Sequence, residues 1–282
     1  MGDYIWNGEK RVHRREALID PEDRGYTFGD GVYEVFRIYH GTCFEAEAHW
    51  ERLARSLSEL RINLGKPVSD LSRGIETFLR EEDINDGMLY LQVTRGAAPR
   101  AHPFPSADTP PVITAFTKPL TRPSDALEHG ASAVIQPDIR WLRCDIKSLN
   151  LLPNVLAKQA ASEAGAQEAI LHRDGTVTEG SASNAAIVSG GVLWTHPANH
   201  LILHGVTRAV TLKLAREIGI PVREEPFTLD MLHNADEAFM MGTTVEVMPI
   251  VRIDGKPVAT GVPGAVTRRL QKAFEAYIEA RP

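Results

Sequence analysis

With 282 residues, 43% of them hydrophobic, the chain is long enough to bury one large core or two medium ones, which makes it a globular protein. Asp and Glu (37) outnumber Lys and Arg (31), giving a net charge of -6 and a pI near 5.9. A general nucleic-acid binder needs surplus cations to neutralise phosphates, so that class is excluded and small molecules are the expected partners. The two cysteines, Cys43 and Cys144, are too few for a disulfide framework and lack metal-ligand spacing. No apolar run is long enough to span a membrane, and MGDYIWNGEK has neither a basic-then-apolar leader nor the hydroxyl residue at position 6 that myristoylation favours. A reducing, cytoplasmic setting is expected.

In chain order, VYEVFRIYHGTCFEA (32–46) alternates and then turns at His40-Gly41, which predicts a β-hairpin. Its first strand puts Tyr33, Val35 and Arg37 on one face and Glu34, Phe36 and Ile38 on the other. AHWERLARSLSELRI (48–62) spaces Trp50, Leu53, Leu57 and Leu60 as an amphipathic helix, with Arg52 on the flank of its buried stripe. A second helix over 68–81 and a strand over 88–95 complete an α+β half. AAPRAHPFPSADTPP (97–111) holds five prolines and predicts an extended loop. TKPLTRPSD (117–125) is the expected boundary, so the domains are 1–118, a linker over 119–124, and 125–282 carrying the lysine considered below.

The second part begins with the strand ASAVIQP, passes RWLRCDIKSLNLLPN (140–154), and enters a helix after Pro153. AILHRDGTVTEG predicts two strands around Asp174-Gly175, a dipeptide suited to the positive φ of a tight turn. IVSGGVLWTH predicts another hairpin. VTRAVTLKLAREIGIP is a helix with Val206, Val210, Leu214 and Ile218 on one stripe, closed by Gly219 and Pro221, and VTRRLQKAFEAYIEA is a last helix.

Lys147 stands in an apolar approach to a helix. Such surroundings disfavour the ammonium form and suit a nucleophilic amine that forms a Schiff base with a carbonyl; a lysine snorkelling to water fits the same letters. Glu179 in TVTEGSASN ends a strand beside small residues, where a carboxylate could meet a flat ligand or simply solvent. Thr207, at a helix start, suits a phosphate through free N–H groups, or serves as a cap. The GTT at 242–244 could add donors or be a plain turn. Arg100 and His102, two apart in an extended stretch, can point the same way and trap a carboxylate. Tyr33 alone reads as a core tyrosine.

Together, RGYTFGDGVYEV, TRGAAPRAHPFP, RWLRCDIKSLNLL, ILHRDGTVTEGSASN, HPANHLILHGVTR and GTTVEVMPI, in this order, resemble the fold-type-IV pyridoxal-phosphate aminotransferases, most closely the D-amino-acid enzymes. The resemblance covers nearly the whole chain. It implies a two-domain α+β fold, with a sandwich-like N-terminal domain and a C-terminal pseudo-barrel domain with helices. It makes Lys147 the Schiff-base lysine on pyridoxal 5'-phosphate and Glu179 the partner of the pyridine nitrogen. Arg52, Val206, Thr207 and Thr243 become the phosphate site, and Leu203 packs on the ring. Tyr33, Arg100 and His102 become the substrate carboxylate trap, with Val35, Arg37, Tyr90 and Thr244 also at the substrate. Substrates would be amino acids and 2-oxo acids. The protein would be a homodimer, Arg100 and His102 reaching across the interface. Ala182, Gly242 and Ala185-Ala186 depart from the relatives' hydroxyl or larger apolar residues, which bears on cofactor retention and substrate range. The rival readings are another activity on this scaffold (branched-chain L-amino-acid or (R)-amine transamination, aminodeoxychorismate lyase chemistry) and a non-catalytic binding protein.

Overall fold

The computed structural model describes residues 2–281, which divide by contact into two units: the chain up to Thr121 together with Ile146–Asn150, and Arg122–Asp145 together with the chain from Leu151 on. The first unit contains β1 (Tyr4–Trp6), β2 (Arg11–His13), α1 (Arg24–Phe28), β3 (Gly31–Tyr39), β4 (Thr42–Cys43), α2 (Ala46–Glu59), α3 (Val68–Glu82), β5 (Gly87–Thr94) and β6 (Val112–Pro119). The strands form one antiparallel sheet in the order β2-β1-β6-β5-β3-β4. Its core joins Phe36, Ile38, Leu89, Leu91 and Ala115 of the sheet to Leu53 and Leu57 of α2 and Leu71, Ile75 and Phe78 of α3. The alternation in β3 therefore does what the letters predict: Phe36 and Ile38 face the helices, while Tyr33 and Val35, on the other face, are only half-buried. The hairpin turns at His40-Gly41, both with positive φ (51° and 78°).

The placement of the lysine segment differs from the expected division. β4 pairs only with Ile38 and Tyr39, which leaves the edge of β3 open at Gly31–Tyr33. Residues 147–149 fill that edge: Tyr33 N donates to Lys147 O (3.0 Å), Leu149 N donates to Gly31 O (3.0 Å), and Val32 bridges Ser148. With Ile146 buried in the first core, this stretch belongs to the first unit and not to the 125–282 domain to which sequence order assigned it.

The second unit contains α4 (Ser124–His129), β7 (Ala131–Pro137), α5 (Leu152–Glu163), β8 (Glu168–Arg173), β9 (Thr176–Gly180), β10 (Asn184–Ser189), β11 (Val192–Thr195), α6 (Val206–Glu217), β12 (Val222–Glu224), α7 (Leu229–His233), β13 (Glu237–Gly242), β14 (Glu246–Ile253), β15 (Lys256–Pro257) and α8 (Ala265–Glu279). Its mixed sheet runs β12-β11-β10-β13-β14-β7-β8-β9, with β15 on β14. β9, at one end of that path, lies against β10, so the sheet curls into a half-barrel. The curl encloses Ile170, Val177, Ala185, Ile187, Phe227, Met240, Met248 and Ile250. Asp174 and Gly175 take φ of 47° and 81°, as a tight turn on this dipeptide requires. No helix among the described residues is long and apolar enough to cross a membrane.

Candidate active site

The expected residues fall into two groups, one in each unit. In the first, backbone pairing with β3 fixes Lys147, and Lys147 N also donates to Ser56 Oγ at 3.3 Å. Its Nζ stands 4.1 Å from the Tyr33 ring centroid, on the face whose quadrupole favours a cation. Tyr33 stacks on Tyr90 (5.8 Å, 25°), and Tyr90 on Phe116 (5.0 Å, 24°), so three strands hold that ring. Tyr90 pairs in register with Val35, and its phenol is pushed up to about 12 by burial. Arg37 follows on the same face of β3. Its Nη1 donates to Gly87 O (3.2 Å) and Leu120 O (2.6 Å), while its buried Nη2 has no hydrogen-bond partner.

Arg52 is not a solitary cation on a helix flank. Its Nε and Nη2 donate to the two oxygens of Glu34 (2.8 and 2.7 Å), and His49 Nδ1 lies 2.8 Å from Glu34 Oε2. Burial raises the Glu34 carboxyl, but Arg52 first and His49 second outweigh it and bring it from 4.5 to about 2. His49 is lowered by its own burial, against the pull of Glu34. The trio is therefore one carboxylate, one guanidinium and a neutral imidazole, set behind the face that carries Lys147.

Arg100 and His102 are exposed, and both lie against Phe28: the Arg100 guanidinium is 4.8 Å from that ring and the His102 ring 5.5 Å from it. Arg24 pins the loop backbone through Ala101 O (2.6 Å) and bonds Asp30 at 2.8 Å. The two side chains do converge, on Phe28, whereas the ring partners of Tyr33 are Lys147 and Tyr90.

In the second unit, Glu179, next to last in β9, is buried. Arg140 Nη1, Asn184 Nδ2 (2.8 Å) and Leu203 N (3.1 Å to each oxygen) all donate to it. Burial pushes the carboxyl above its ordinary range, against the Arg140 guanidinium and the Leu203 N–H, which pull it down. Every hydrogen-bond partner is a donor, so these bonds act to favour the ionised form against burial. Arg140 also bonds Asp138 through Nε (2.9 Å) and Nη2 (2.7 Å), and Arg173 and Thr178 hold Asp138 in turn. Leu203 is thus fixed by its backbone on Glu179.

Thr207 is the second residue of α6, not its cap. The N-cap is Gly205, and no side chain caps the helix, which leaves the first N–H groups, including those of Val206 and Thr207, open to an anion. A Cβ at Gly205 would collide with Asn184 Oδ1, so glycine is required there. Thr243 and Thr244 form the turn between β13 and β14. A Cβ on Gly242 would lie 3.1 Å from Val245 and 3.3 Å from Ser183, so the missing side chain lets that turn settle against the loop after Glu179. Sequence reasoning missed Glu34, His49, Asp138, Arg140 and Asn184. Glu34 was legible as an acid on the core-facing side of β3, opposite the face of Tyr33; the others carried no local signal.

The model of the amino-transferase class IV family matches residues 31–253. The chain belongs to that family. Among class IV relatives, the D-alanine aminotransferase of Staphylococcus aureus (strain MSSA476) is 49% identical over 280 residues, 99% of each chain. That of Bacillus licheniformis is 47% identical over 274 residues, 97% of this chain and 96% of the relative. Among solved class IV structures, the Escherichia coli branched-chain amino acid aminotransferase matches with a TM-score of 0.91 at 28% identity, covering 98% and 94% of the two chains. The branched-chain aminotransferase of the thermophilic archaeon Thermoproteus uzoniensis, solved with norvaline, matches at 0.85 and 26%, covering 98% and 94%. A further branched-chain enzyme, solved with pyridoxamine 5'-phosphate, matches at 0.91 and 27%, covering 100% and 96%. The fold is thus common to enzymes named for D- and for branched-chain substrates, and the higher identity lies with the D-alanine group.

Proposed function

We propose that this class IV aminotransferase uses pyridoxal 5'-phosphate to move the amino group of a D-amino acid, D-alanine foremost, to 2-oxoglutarate or another 2-oxo acid in a ping-pong reaction. The observation that carries the reaction class is Lys147, whose backbone is locked on β3 while its amine rests on the Tyr33 ring. Identity of 49% to D-alanine aminotransferases over nearly the whole chain supports the D-substrate.

The residues fit the cofactor. Glu179 is a buried carboxylate that gathers only N–H donors, the kind of partner a protonated ring nitrogen would be. The uncapped start of α6 suits the phosphate, which Arg52, Val206, Thr207 and Thr243 would hold, and Leu203 would pack on the ring. When bound, the cofactor supplies a carbonyl carbon that exchanges amines and a ring that takes up electrons. Lys147 would hold that carbon, and its amine would move a proton to and from the substrate Cα. Glu179 would face the ring nitrogen and favour its protonated form. Tyr33 shapes the substrate's surroundings with Val35, Arg37, Tyr90 and Thr244.

Arg100 and His102 complete the carboxylate trap from the neighbouring subunit of a homodimer. Their exposure supports this, as do the exposed apolar side chains Ile139, Trp141, Leu142, Leu152, Val155 and Leu156, which a lone soluble chain would seldom leave bare. Two free cysteines agree with a reducing compartment. Borohydride treatment of the yellow holoprotein should fix the cofactor on the peptide containing Lys147, and Lys147→Ala should lose both visible absorption and turnover. A Lys147→Ala protein that keeps both sinks the assignment.

A further inference from the structure

Eight described residues other than glycine have positive φ, and Glu246 (φ 57°) is the buried one among them. It follows directly on the turn that carries Thr243 and Thr244. Val245 N closes that turn on Gly242 O (3.1 Å), and Gly242 pairs with Glu246 across the hairpin. A left-handed residue after such a turn is ordinarily glycine or asparagine, because a Cβ there meets the following carbonyl. A buried glutamate in that place is strained twice, in its backbone and in its desolvated charge.

What holds it is Arg122, the first residue of the second unit. Nε donates to Oε1 (2.9 Å) and Nη2 to Oε2 (2.8 Å), a two-pronged bond, while Nη1 reaches Glu275 on α8 (2.8 Å). The turn is thereby tied to the start of the unit and to its last helix.

We propose that Arg122 and Glu246 form a clasp that positions the Thr243–Val245 turn for the cofactor phosphate, making both of them positioning residues for this site. The inference rests on the pyridoxal-phosphate reading above. The clasp keeps the glutamate left-handed, the left-handed residue fixes the direction in which the turn enters β14, and the turn's hydroxyl and amide donors then need no reordering when phosphate arrives.

The test compares apoprotein variants Arg122→Ala, Arg122→Lys and Glu246→Gly with wild type. Each is titrated with pyridoxal 5'-phosphate and with pyridoxal, which lacks the phosphate, alongside its apoprotein Tm. The clasp predicts about tenfold weaker pyridoxal 5'-phosphate binding for Arg122→Ala and Glu246→Gly, an intermediate loss for Arg122→Lys, and unchanged pyridoxal binding. Glu246→Gly is the decisive variant: it relieves the backbone strain, so its Tm should not fall while its phosphate-dependent affinity does. A merely structural role predicts the reverse, with affinity intact wherever the fold is intact. Wild-type affinity in Glu246→Gly and Arg122→Ala, or equal weakening of both ligands, overturns the clasp alone. A wild-type protein that takes up no pyridoxal 5'-phosphate overturns the underlying reading and the clasp with it.

Discussion

Replacing Glu34 by Gln tests the buried anchor of the first unit. Glu34 is 0% exposed, yet its carboxyl lies at about 2 because Arg52 and His49 more than offset the effect of burial. A fall from the ordinary 4.5 to about 2 corresponds to about 3 kcal/mol, at about 1.36 kcal/mol per pH unit. The sign follows from which state binds the proton first. As pH falls, the unfolded chain protonates near 4.5 while the folded chain does not, so this stability is whole above about pH 4.5 and drains away towards pH 2. Roughly 2 kcal/mol of it is gone by about pH 3. His49 acts in the same direction, because its lowered value lets the unfolded ring charge first below its ordinary 6.5. An amide at position 34 removes the charge and leaves the Arg52 guanidinium buried without it, so the variant should be about 3 kcal/mol less stable at pH 7. It should also lack the extra loss between about pH 4.5 and pH 3. Urea unfolding of the apoprotein at those pH values, followed by tryptophan fluorescence, measures both. A Glu34→Gln variant within about 0.5 kcal/mol of wild type at pH 7, or one sharing the wild-type acid loss, would refute the reasoning.

Arg140→Met leaves Asp138 and Glu179 as buried carboxylates without their shared cation, and should cost about 3–5 kcal/mol in urea unfolding; a loss below about 1 kcal/mol contradicts the network. If Arg100 serves the neighbouring subunit, then mixing Lys147→Ala with Arg100→Ala, each impaired alone, and allowing subunits to exchange should restore activity. Random pairing gives half mixed dimers with one intact site each, hence about a quarter of wild-type turnover. No recovery on mixing means that Arg100 acts within its own chain.

What the letters disclosed was local. His40-Gly41 and Asp174-Gly175 announced their turns because positive φ is a property of the dipeptide, and α2 announced its buried stripe through Leu53 and Leu57. Three-residue strands such as β1 and β2 carry too few letters for a period and went unread. Sequence order places the lysine segment in the second unit, whereas its partners, Gly31–Tyr33, lie more than a hundred residues upstream on an open sheet edge about which spacing is silent. Lys147 and Glu179 were singled out as candidates, but the groups that hold their surroundings were not. Glu34 finds Arg52 eighteen residues away, and Arg140 finds Glu179 thirty-nine away, distances at which no pattern of spacing speaks. The need for Gly205 comes from a collision with Asn184, twenty-one residues away, which no local pattern carries.

The proposed reaction is selective for one enantiomer, and one measurement addresses both the chemistry and its stereochemistry. Purified protein loaded with pyridoxal 5'-phosphate should transfer the amino group of D-alanine to 2-oxoglutarate, yielding pyruvate, and should leave L-alanine and L-leucine essentially unused under the same conditions. Turnover of the L-amino acids alone would contradict the account and place this chain with the branched-chain enzymes whose fold it shares.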